Sequence, residues 1–156
     1  MDLKQLYQDI ILEHGKSPRN FGKCEKHTHE AKGHNPLCGD QVQIYLKLNN
    51  KKKVENLTFE GSGCAISIAS TSIMTELVKG KTIEVAKKII IHFLDMIKNT
   101  SEIKSNDLDE DQKIKIMSLS GVKQYPMRVK CATLAWHTLT SAIEGKKEEV
   151  NTEATD

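Results

Sequence analysis

Residues 54–79 read VENLTFEGSGCAISIASTSIMTELVK, and the spacing of the apolar residues changes within this stretch. Before the loop Gly61-Ser62-Gly63 the apolar residues alternate loosely, which is typical of a strand. After the loop they recur every three or four positions from about Cys64 to Lys79, which is typical of one face of a helix that ends at Gly80. This stretch therefore predicts a fold that combines strands with helices.

Two more strands are predicted on the N-terminal side of this stretch. Residues 42–48 alternate strictly between apolar and polar side chains, and a polar turn at residues 49–53 separates them from the strand that starts at Val54. A third, short strand is indicated around residues 28–32. The predicted sheet therefore has three strands.

Helices are predicted where apolar residues form a stripe at helical spacing, at residues 3–15, 82–97 and 127–144. Residues 98–113 are polar and acidic, and this composition predicts an irregular excursion of the chain that contains at most one helical turn. A short apolar patch follows at residues 114–119. Residues 146–156 are charged and have little to bury, so a disordered tail is predicted there. We expect one α+β domain over residues 1–145, followed by this tail.

The composition limits the kind of partner that the chain can have. Its 156 residues are 38% hydrophobic and 28% charged, and a net charge of +2 is too small to favour a nucleic acid or a membrane surface. The longest aliphatic run, Ile89-Ile90-Ile91, is far too short to span a bilayer, and the N-terminus lacks the apolar core of an export signal. We therefore expect a cytoplasmic protein, in which cysteines are more often metal ligands or reactive thiols than disulfides.

Three of the four cysteines lie where the chain is expected to turn or to start a helix: Cys38 after Asn35-Pro36-Leu37, Cys64 after Gly61-Ser62-Gly63, and Cys131 shortly after Pro126. Free N–H groups at a helix start favour a thiolate at Cys64 and Cys131. Asp40 adds a carboxylate two residues after Cys38, and Gly39 allows the bend between them. Such a donor set suits zinc or an iron–sulfur centre. The spacing alone leaves a shared metal or thiol site and buried structural cysteines equally open.

Four motifs follow one another along the chain: Leu6-Tyr7 with His14 and Pro18-Arg19-Asn20-Phe21-Gly22, then Asn35-Pro36-Leu37-Cys38-Gly39-Asp40, then Gly61-Ser62-Gly63-Cys64-Ala65-Ile66-Ser67, and Tyr125-Pro126-Met127-Arg128-Val129-Lys130-Cys131-Ala132-Thr133-Leu134. Together they resemble the NifU/IscU-like iron–sulfur cluster assembly proteins, and within that family the SufU branch. The resemblance extends from about Leu3 to Glu144. It implies an α+β fold in which a small antiparallel sheet, here of three strands, is packed by helices. It also implies a metal site at one exposed end and a cysteine desulfurase as partner.

Two departures from the IscU-type scaffolds favour the SufU branch. Those scaffolds carry a histidine directly before their last cysteine, where this chain has Lys130, and a protonated lysine cannot ligate a metal. The polar stretch at about 98–121 resembles the insertion that distinguishes SufU proteins. The resemblance therefore implies a zinc-bound sulfur acceptor that works with a SufS-type desulfurase and passes sulfur to downstream Suf scaffold proteins. The implied zinc ligands are Cys38, Asp40, Cys64 and Cys131.

Cys38 and Arg128 are the candidate catalytic residues. Cys38 lies in a loop flanked by proline and glycine, free to leave the metal, and the resemblance also implies it as the acceptor of persulfide sulfur. In the expected mechanism, the desulfurase displaces Cys38 from zinc, Cys38 takes the sulfane sulfur, and zinc or a reductant regulates its release. Three thiolates and a carboxylate outweigh the charge of a divalent zinc and require a nearby cation. Arg128, three residues before Cys131, would share its helix face. The residues alone favour a solvated arginine there, and it is the resemblance that implies Arg128 as a site residue.

Two other functions are considered beside this one. The first is a non-enzymatic scaffold that assembles a [2Fe–2S] cluster on the same cysteines, which Lys130 disfavours. The second is a structural zinc domain without transfer chemistry, which an exchangeable Cys38 would exclude. Of the remaining candidates, Cys24 is expected to be an incidental exposed thiol, and His34 a group behind the ligands.

Overall fold

The glycine loop at residues 61–63 joins a strand to a helix in the computed structural model, which describes residues 2–98 and 107–154. The helices are α1 (Leu3–Lys16), α2 (Ala65–Val78), α3 (Ile83–Lys98), α4 (Glu110–Leu119) and α5 (Val129–Glu144). The strands are β1 (His29–Asn35), β2 (Asp40–Leu48), β3 (Val54–Ser62) and β4 (Val150–Asn151). Short 3-10 helices cover Ser120–Gln124, Pro126–Arg128 and Thr152–Ala154. Within the described ranges, no helix is long and apolar enough to cross a membrane.

The four strands form one sheet in the order β3-β2-β1-β4. β1 pairs antiparallel with β2, with Asn35 opposite Asp40, and β2 pairs antiparallel with β3, with Ile44 opposite Phe59. Ile44 and Phe59 are fully buried, in agreement with the alternation seen in the sequence. The predicted α+β fold is therefore confirmed, but the sheet has four strands instead of three.

The additional strand lies in the segment that was predicted to be a disordered tail. β4 pairs parallel with β1, with Gly33 opposite Val150 and His34 opposite Asn151. Val150 packs against the hydrophobic core, and Thr152 is fully buried. The prediction of disorder is wrong for these residues because the outer edge of β1 offers backbone partners that a charged composition does not reveal.

Two helices, α2 and α5, fix the end of the sheet that carries the cysteines. α5 packs against β1 and β2, and α2 packs against α1, α5 and β3. Trp136 of α5 is fully buried, as predicted, and stacks on Phe93 of α3 with ring centroids 4.1 Å apart. Its indole N–H donates to Ser70 Oγ of α2 at 2.9 Å. Stacked aromatic pairs contribute about 0.5–1.5 kcal/mol beyond burial, so Trp136 holds three helices in place.

The polar stretch predicted as an excursion is partly helical. Residues 99–106 lie outside the described residues, and α4 follows them. The Asp109 carboxylate accepts the Gln112 N–H at 2.8 Å, and the Gln112 side chain accepts the Asp109 N–H at 3.1 Å. Ile116 and Leu119 of this helix are fully buried. The reciprocal cap and the two buried side chains stabilise a full helix where the sequence predicted at most one turn.

Candidate metal centre

The turn between β1 and β2 carries Cys38 at one end of the sheet. The Gly39 N–H donates to the Asn35 carbonyl at 2.8 Å and closes the turn. Gly39 has a φ of +73°, in the left-handed region where other residues are strained. The Cys38 side chain is half-buried. Gly39 thus reverses the chain so that Cys38 lies in the turn and Asp40 follows it as the first residue of β2.

Asp40 is fully buried and is held by N–H groups. Its Oδ1 accepts the Cys64 N–H at 2.8 Å, and its Oδ2 accepts from Asn35 Nδ2 at 3.2 Å. A Cβ on Gly63 would lie 2.3 Å from Oδ1, so this close approach requires glycine. Within residues 2–98 and 107–154, no Lys or Arg forms an ion pair with Asp40. The carboxylate is therefore buried without a protein cation.

Cys131, in the first turn of α5, brings a buried thiol to the same place. Its Sγ lies 3.3 Å from Cys38 Sγ, although the two residues are 93 positions apart, and 3.4 Å from Asn35 Nδ2. One ligand atom each from Cys38, Asp40 and Cys131 lies within 4.8 Å of the other two. The fold therefore assembles three of the four predicted ligands from two distant segments.

Cys64, the fourth predicted ligand, borders this group. It caps the N-terminus of α2, is half-buried, and offers no atom within 4.8 Å of all three donor atoms. Its thiol makes a hydrogen bond with Cys131, and this contact lowers the pKa of Cys64 to about 7. Hydrogen bonds from the backbone of Ser67 and Ile66, at the start of α2, act in the same direction against the effect of burial.

The pKa of Cys131 moves the other way. Its hydrogen bond with Cys64 and its burial raise this pKa, whereas the same contact lowers the pKa of Cys64. The sequence predicted that both helix starts lower the pKa of their thiols, and this is wrong for Cys131. The reason is that its thiol is buried beside Cys64, Asp40 and Cys38, where a further negative charge is unfavourable.

Arg128 places a positive charge on the exposed side of the group. It is the residue before α5, it is exposed, and its Nη1 lies 3.8 Å from Cys38 Sγ. Cys38, the nearest source of negative charge, raises the pKa of the guanidinium. The cation that the sequence argument required is therefore in contact with Cys38, and it faces any molecule that approaches this thiol from solvent.

The donor set fits a divalent cation with a preference for sulfur. Thiolates select zinc or iron–sulfur centres over magnesium and calcium, and one carboxylate beside three cysteines is compatible with zinc. The buried Asp40 carboxylate lacks a lysine or arginine ion-pair partner in the described part of the chain, so a bound cation would offset the free-energy cost of burying it.

Two buried residues behind the site had no specific role in the sequence analysis. Asn35 is fully buried and contacts both Asp40 and Cys131 through Nδ2. Tyr7 of α1 is buried, and burial, with a smaller effect of the neighbouring Tyr125, raises its pKa to about 12. The sequence signal for Asn35 was its motif, and for Tyr7 it was a motif and the apolar stripe of the first predicted helix. Their contacts could not be predicted because they depend on the packing of distant elements.

Cys24 and His34 differ from the ligands in position. Cys24 is 7% exposed, and its Sγ lies 3.6 Å from Asn56 Nδ2. The prediction that Cys24 is an exposed thiol is therefore wrong. The loop is held against β2, where the Thr28 N–H donates to the Leu46 carbonyl at 2.8 Å, and this buries Cys24. His34 contacts the C-terminal segment, with its Nδ1 2.8 Å from Glu149 Oε1.

Comparisons with known proteins show which family the chain belongs to. The family model described as the NifU-like N terminal domain matches residues 6–132. The zinc-dependent sulfurtransferase SufU of Bacillus subtilis (strain 168) is 40% identical over 148 residues, which are 95% of each chain. The iron–sulfur cluster assembly scaffold protein IscU of Streptococcus pyogenes serotype M1 is 34% identical over 142 residues, 91% of this chain and 85% of that one.

Solved structures show the same architecture. An iron–sulfur cluster assembly scaffold protein for the SUF system from Fervidobacterium islandicum AW-1 superposes with a TM-score of 0.78 at 36% identity, covering 89% of this chain and 97% of that one. A NifU-like protein from Brucella abortus has a TM-score of 0.78 at 22% identity, over 92% of this chain and 95% of that one, and shares the fold. The resemblance found in the motifs is confirmed: the chain belongs to the NifU/IscU-like family of iron–sulfur cluster assembly proteins, in which SufU is among its relatives.

Proposed function

We propose that this protein is a zinc-dependent sulfurtransferase whose Cys38 accepts persulfide sulfur from a SufS-type cysteine desulfurase. The observation that carries the proposal is the position of Cys38. Its thiol is half-buried in a turn, 3.3 Å from the buried Cys131 thiol and 3.8 Å from the exposed Arg128 guanidinium. An acceptor thiol needs access, and Cys38 combines access with a guanidinium beside its sulfur.

Cys38, Asp40, Cys64 and Cys131 are the residues that would hold zinc. Zinc has no redox chemistry of its own and, when bound, would favour the thiolate form of its cysteine ligands. Asp40 and Cys131 are buried and share Asn35 as a hydrogen-bond partner, so they are the fixed members of the set. Lys130 supports a set without histidine, since an ammonium group cannot ligate a metal.

The transfer step is an exchange at sulfur. The Cys38 thiolate attacks the terminal sulfur of the desulfurase persulfide, and a new S–S bond forms between Cys38 Sγ and that sulfur. The S–S bond within the donor persulfide breaks, and its electron pair leaves with the desulfurase cysteine as a thiolate. The hydrogen on the terminal sulfur moves with it, so Cys38 becomes the persulfide and the step needs no external oxidant or reductant.

Arg128 supports this step by charge. Its guanidinium lies 3.8 Å from Cys38 Sγ, where it can stabilise the negative charge that passes between the sulfur atoms during the exchange. Its exposure leaves it free to contact the donor as well as Cys38. On this proposal the sulfur passes next to a downstream Suf scaffold protein, and the reaction takes place in the cytoplasm.

The relatives also support one alternative. The name of the Bacillus subtilis relative agrees with the proposal, whereas the Streptococcus pyogenes relative is named as a scaffold. The alternative function is therefore assembly of a [2Fe–2S] cluster on Cys38, Cys64 and Cys131 without sulfur transfer as its own activity. The nature of the bound metal and the fate of Cys38 separate the two.

The test begins with metal analysis of the purified full-length protein, followed by mixing with a SufS-type desulfurase and cysteine. We expect about one zinc per chain. We also expect faster desulfurase turnover, and one extra sulfur atom on the Cys38 peptide in mass spectrometry. Cys38→Ser should remove both the stimulation and the extra sulfur.

Cys24→Ser is the matched control, because it removes a thiol that is not among the proposed ligands, and it should retain both effects. Iron with acid-labile sulfide and unstimulated turnover would contradict the proposal and support the scaffold. Zinc without stimulation and without a modified Cys38 would leave a structural zinc domain as the function.

A further inference from the structure

The C-terminal segment reaches the metal-binding site through a chain of hydrogen bonds. Thr152 follows β4, and its hydroxyl donates to Asn35 Oδ1 at 2.9 Å, although the residues are 117 positions apart. Asn35 Nδ2 in turn lies 3.2 Å from Asp40 Oδ2 and 3.4 Å from Cys131 Sγ. Thr152, Asn35, Asp40 and Cys131 are each fully buried. This series of hydrogen bonds therefore connects the segment after β4 to two proposed zinc ligands without exposure to solvent.

Asp40 determines which way the Asn35 side chain is turned. A carboxylate can only accept hydrogen bonds, so it must face the amide N–H groups of Asn35 and not its carbonyl oxygen. The carbonyl oxygen then points to the other side, where the Thr152 hydroxyl is its donor. Without this hydroxyl the oxygen would be buried with no other hydrogen-bond donor among the described residues, which is unfavourable by itself. The amide would then be held only at its nitrogen, by Asp40 and Cys131, and its position would be less well fixed.

Several contacts deliver Thr152 to this position. β4 pairs with β1, and Val150 packs against the hydrophobic core. Glu149 Oε1 lies 2.8 Å from His34 Nδ1, and the Glu153 N–H donates to Asn151 Oδ1 at 2.8 Å. These contacts hold the residues on both sides of Thr152. The hydroxyl is therefore presented to Asn35 by a docked strand.

We propose that Thr152 is a positioning residue of the metal-binding site. Its hydroxyl anchors the oxygen end of the Asn35 amide, and the anchored amide holds Asp40 and Cys131 in the arrangement that receives the metal. The inference rests on the zinc binding proposed above. Groups that orient metal ligands change metal affinity by about 10–100-fold, and the same range is expected here. The C-terminal segment is thus part of the site.

Zinc affinity, measured by competition with a chromogenic chelator on the full-length protein, is the first test. Thr152→Val keeps the size of the side chain and removes the hydroxyl, and we expect roughly tenfold weaker zinc binding. Thr152→Ser restores the hydroxyl and should return the affinity to within about twofold of the wild type. Thr152→Val binding zinc as tightly as the wild type would overturn the proposal.

Thr71→Val is the matched control. Thr71 is also fully buried, but its hydroxyl donates to the Ser67 carbonyl within α2 at 2.8 Å. We expect the zinc affinity of Thr71→Val to equal that of the wild type. If both valine variants lost the same zinc affinity, the effect of Thr152→Val would be general destabilisation, and the proposal would be overturned. If Thr152→Val does not fold, Val150→Ala weakens the docking of β4 and should lower zinc affinity about twofold to threefold. Unchanged affinity in that variant would contradict the proposal.

The side-chain amide signals of Asn35 in NMR provide a readout that needs no metal. In the metal-free wild type these protons should exchange slowly, since both the amide oxygen and the amide nitrogen are hydrogen-bonded in a buried place. Thr152→Val should shift the signals and speed the exchange, and Thr152→Ser should restore both. If the wild type binds no zinc, the proposed function fails, but this response still supports the anchoring role. Unchanged Asn35 signals in Thr152→Val would contradict that role whatever the metal result.

Discussion

Two clusters of buried polar groups in this molecule differ in charge. In the metal-binding site, the fully buried Asp40 carboxylate lies beside three thiols. Between α1 and α2, the fully buried His14 makes a 2.8 Å hydrogen bond through Nδ1 with Ser72 Oγ, and its Nε2 lies 3.6 Å from Glu76 Oε1. Burial, assisted by Arg19, lowers the pKa of His14, so this cluster contains a neutral ring.

The His14 cluster connects parts of the fold. Ser72 Oγ also accepts the Arg19 N–H at 2.8 Å, and the cluster therefore ties the loop after α1 to α2. The metal-binding site is different because it brings together one carboxylate and three thiols, and each thiol can also become negatively charged. The comparison teaches that burial of a titratable group does not by itself mark a functional site, whereas a group of metal-binding donors around a buried carboxylate that has no ion pair among the described residues does.

Neutralising Asp40 should remove the buried negative charge that distinguishes the metal-binding site from the His14 cluster. This substitution should have the largest effect, and the effect is on zinc binding. Asp40→Asn keeps the shape of the side chain but sets its amide against that of Asn35, and we expect about 100-fold weaker zinc binding. At free zinc 100 times the wild-type Kd, zinc stabilises the wild type by about 2.7 kcal/mol and this variant by only about 0.4 kcal/mol. Denaturant titrations with and without zinc measure both values. His14→Gln is the control, and its zinc increment should match the wild type.

Acidification should disturb the His14 cluster first. The folded protein resists protonation of His14, while the unfolded chain takes up a proton near the ordinary pKa of 6.5. The contribution of His14 to stability is therefore constant well above this pH and falls as the pH drops through and below it, by up to about 1.4 kcal/mol per pH unit for one histidine. His14→Gln should flatten this dependence in urea titrations between pH 7 and 5.

A residual slope should remain in His14→Gln, because burial also lowers the pKa of His137. If the pH dependence of His14→Gln equals that of the wild type, His14 does not stay neutral in the folded protein. The assignment of this cluster as neutral would then be wrong.

Removing the exposed cation of the site should have the smallest effect. Arg128→Gln leaves the buried donors in place and removes the positive charge in front of Cys38. In the metal-free protein we expect alkylation of Cys38 by the anionic reagent iodoacetate to slow by roughly threefold to tenfold. Peptide mass spectrometry after timed quenching gives the rate. The neutral reagent iodoacetamide is the control, and an equal slowing with both reagents would show that Arg128 does not act by attracting anions.

Much of the fold and of the candidate site follows from the order of residues. The two hydrophobic periods on either side of Gly61-Ser62-Gly63 predict a strand followed by a helix, because each period is a local property of the backbone. The four motifs predicted the family, and three of the four predicted ligands meet within 4.8 Å. Gly39, with its positive φ, makes the bend that its position between Cys38 and Asp40 suggested.

Tertiary structure alone decided the contacts that the linear pattern does not contain. The charged C-terminal segment forms β4 because β1 offers it an edge, and Cys24 is buried because its loop is held against the sheet. The pKa of Cys64 is lowered and that of Cys131 is raised because the two thiols lie at different depths and share a hydrogen bond. Thr152 reaches Asn35 across 117 positions. Periodicity and turn chemistry are encoded by neighbours in the chain, whereas hydrogen-bond partners, burial and electrostatics depend on which distant elements the core brings together.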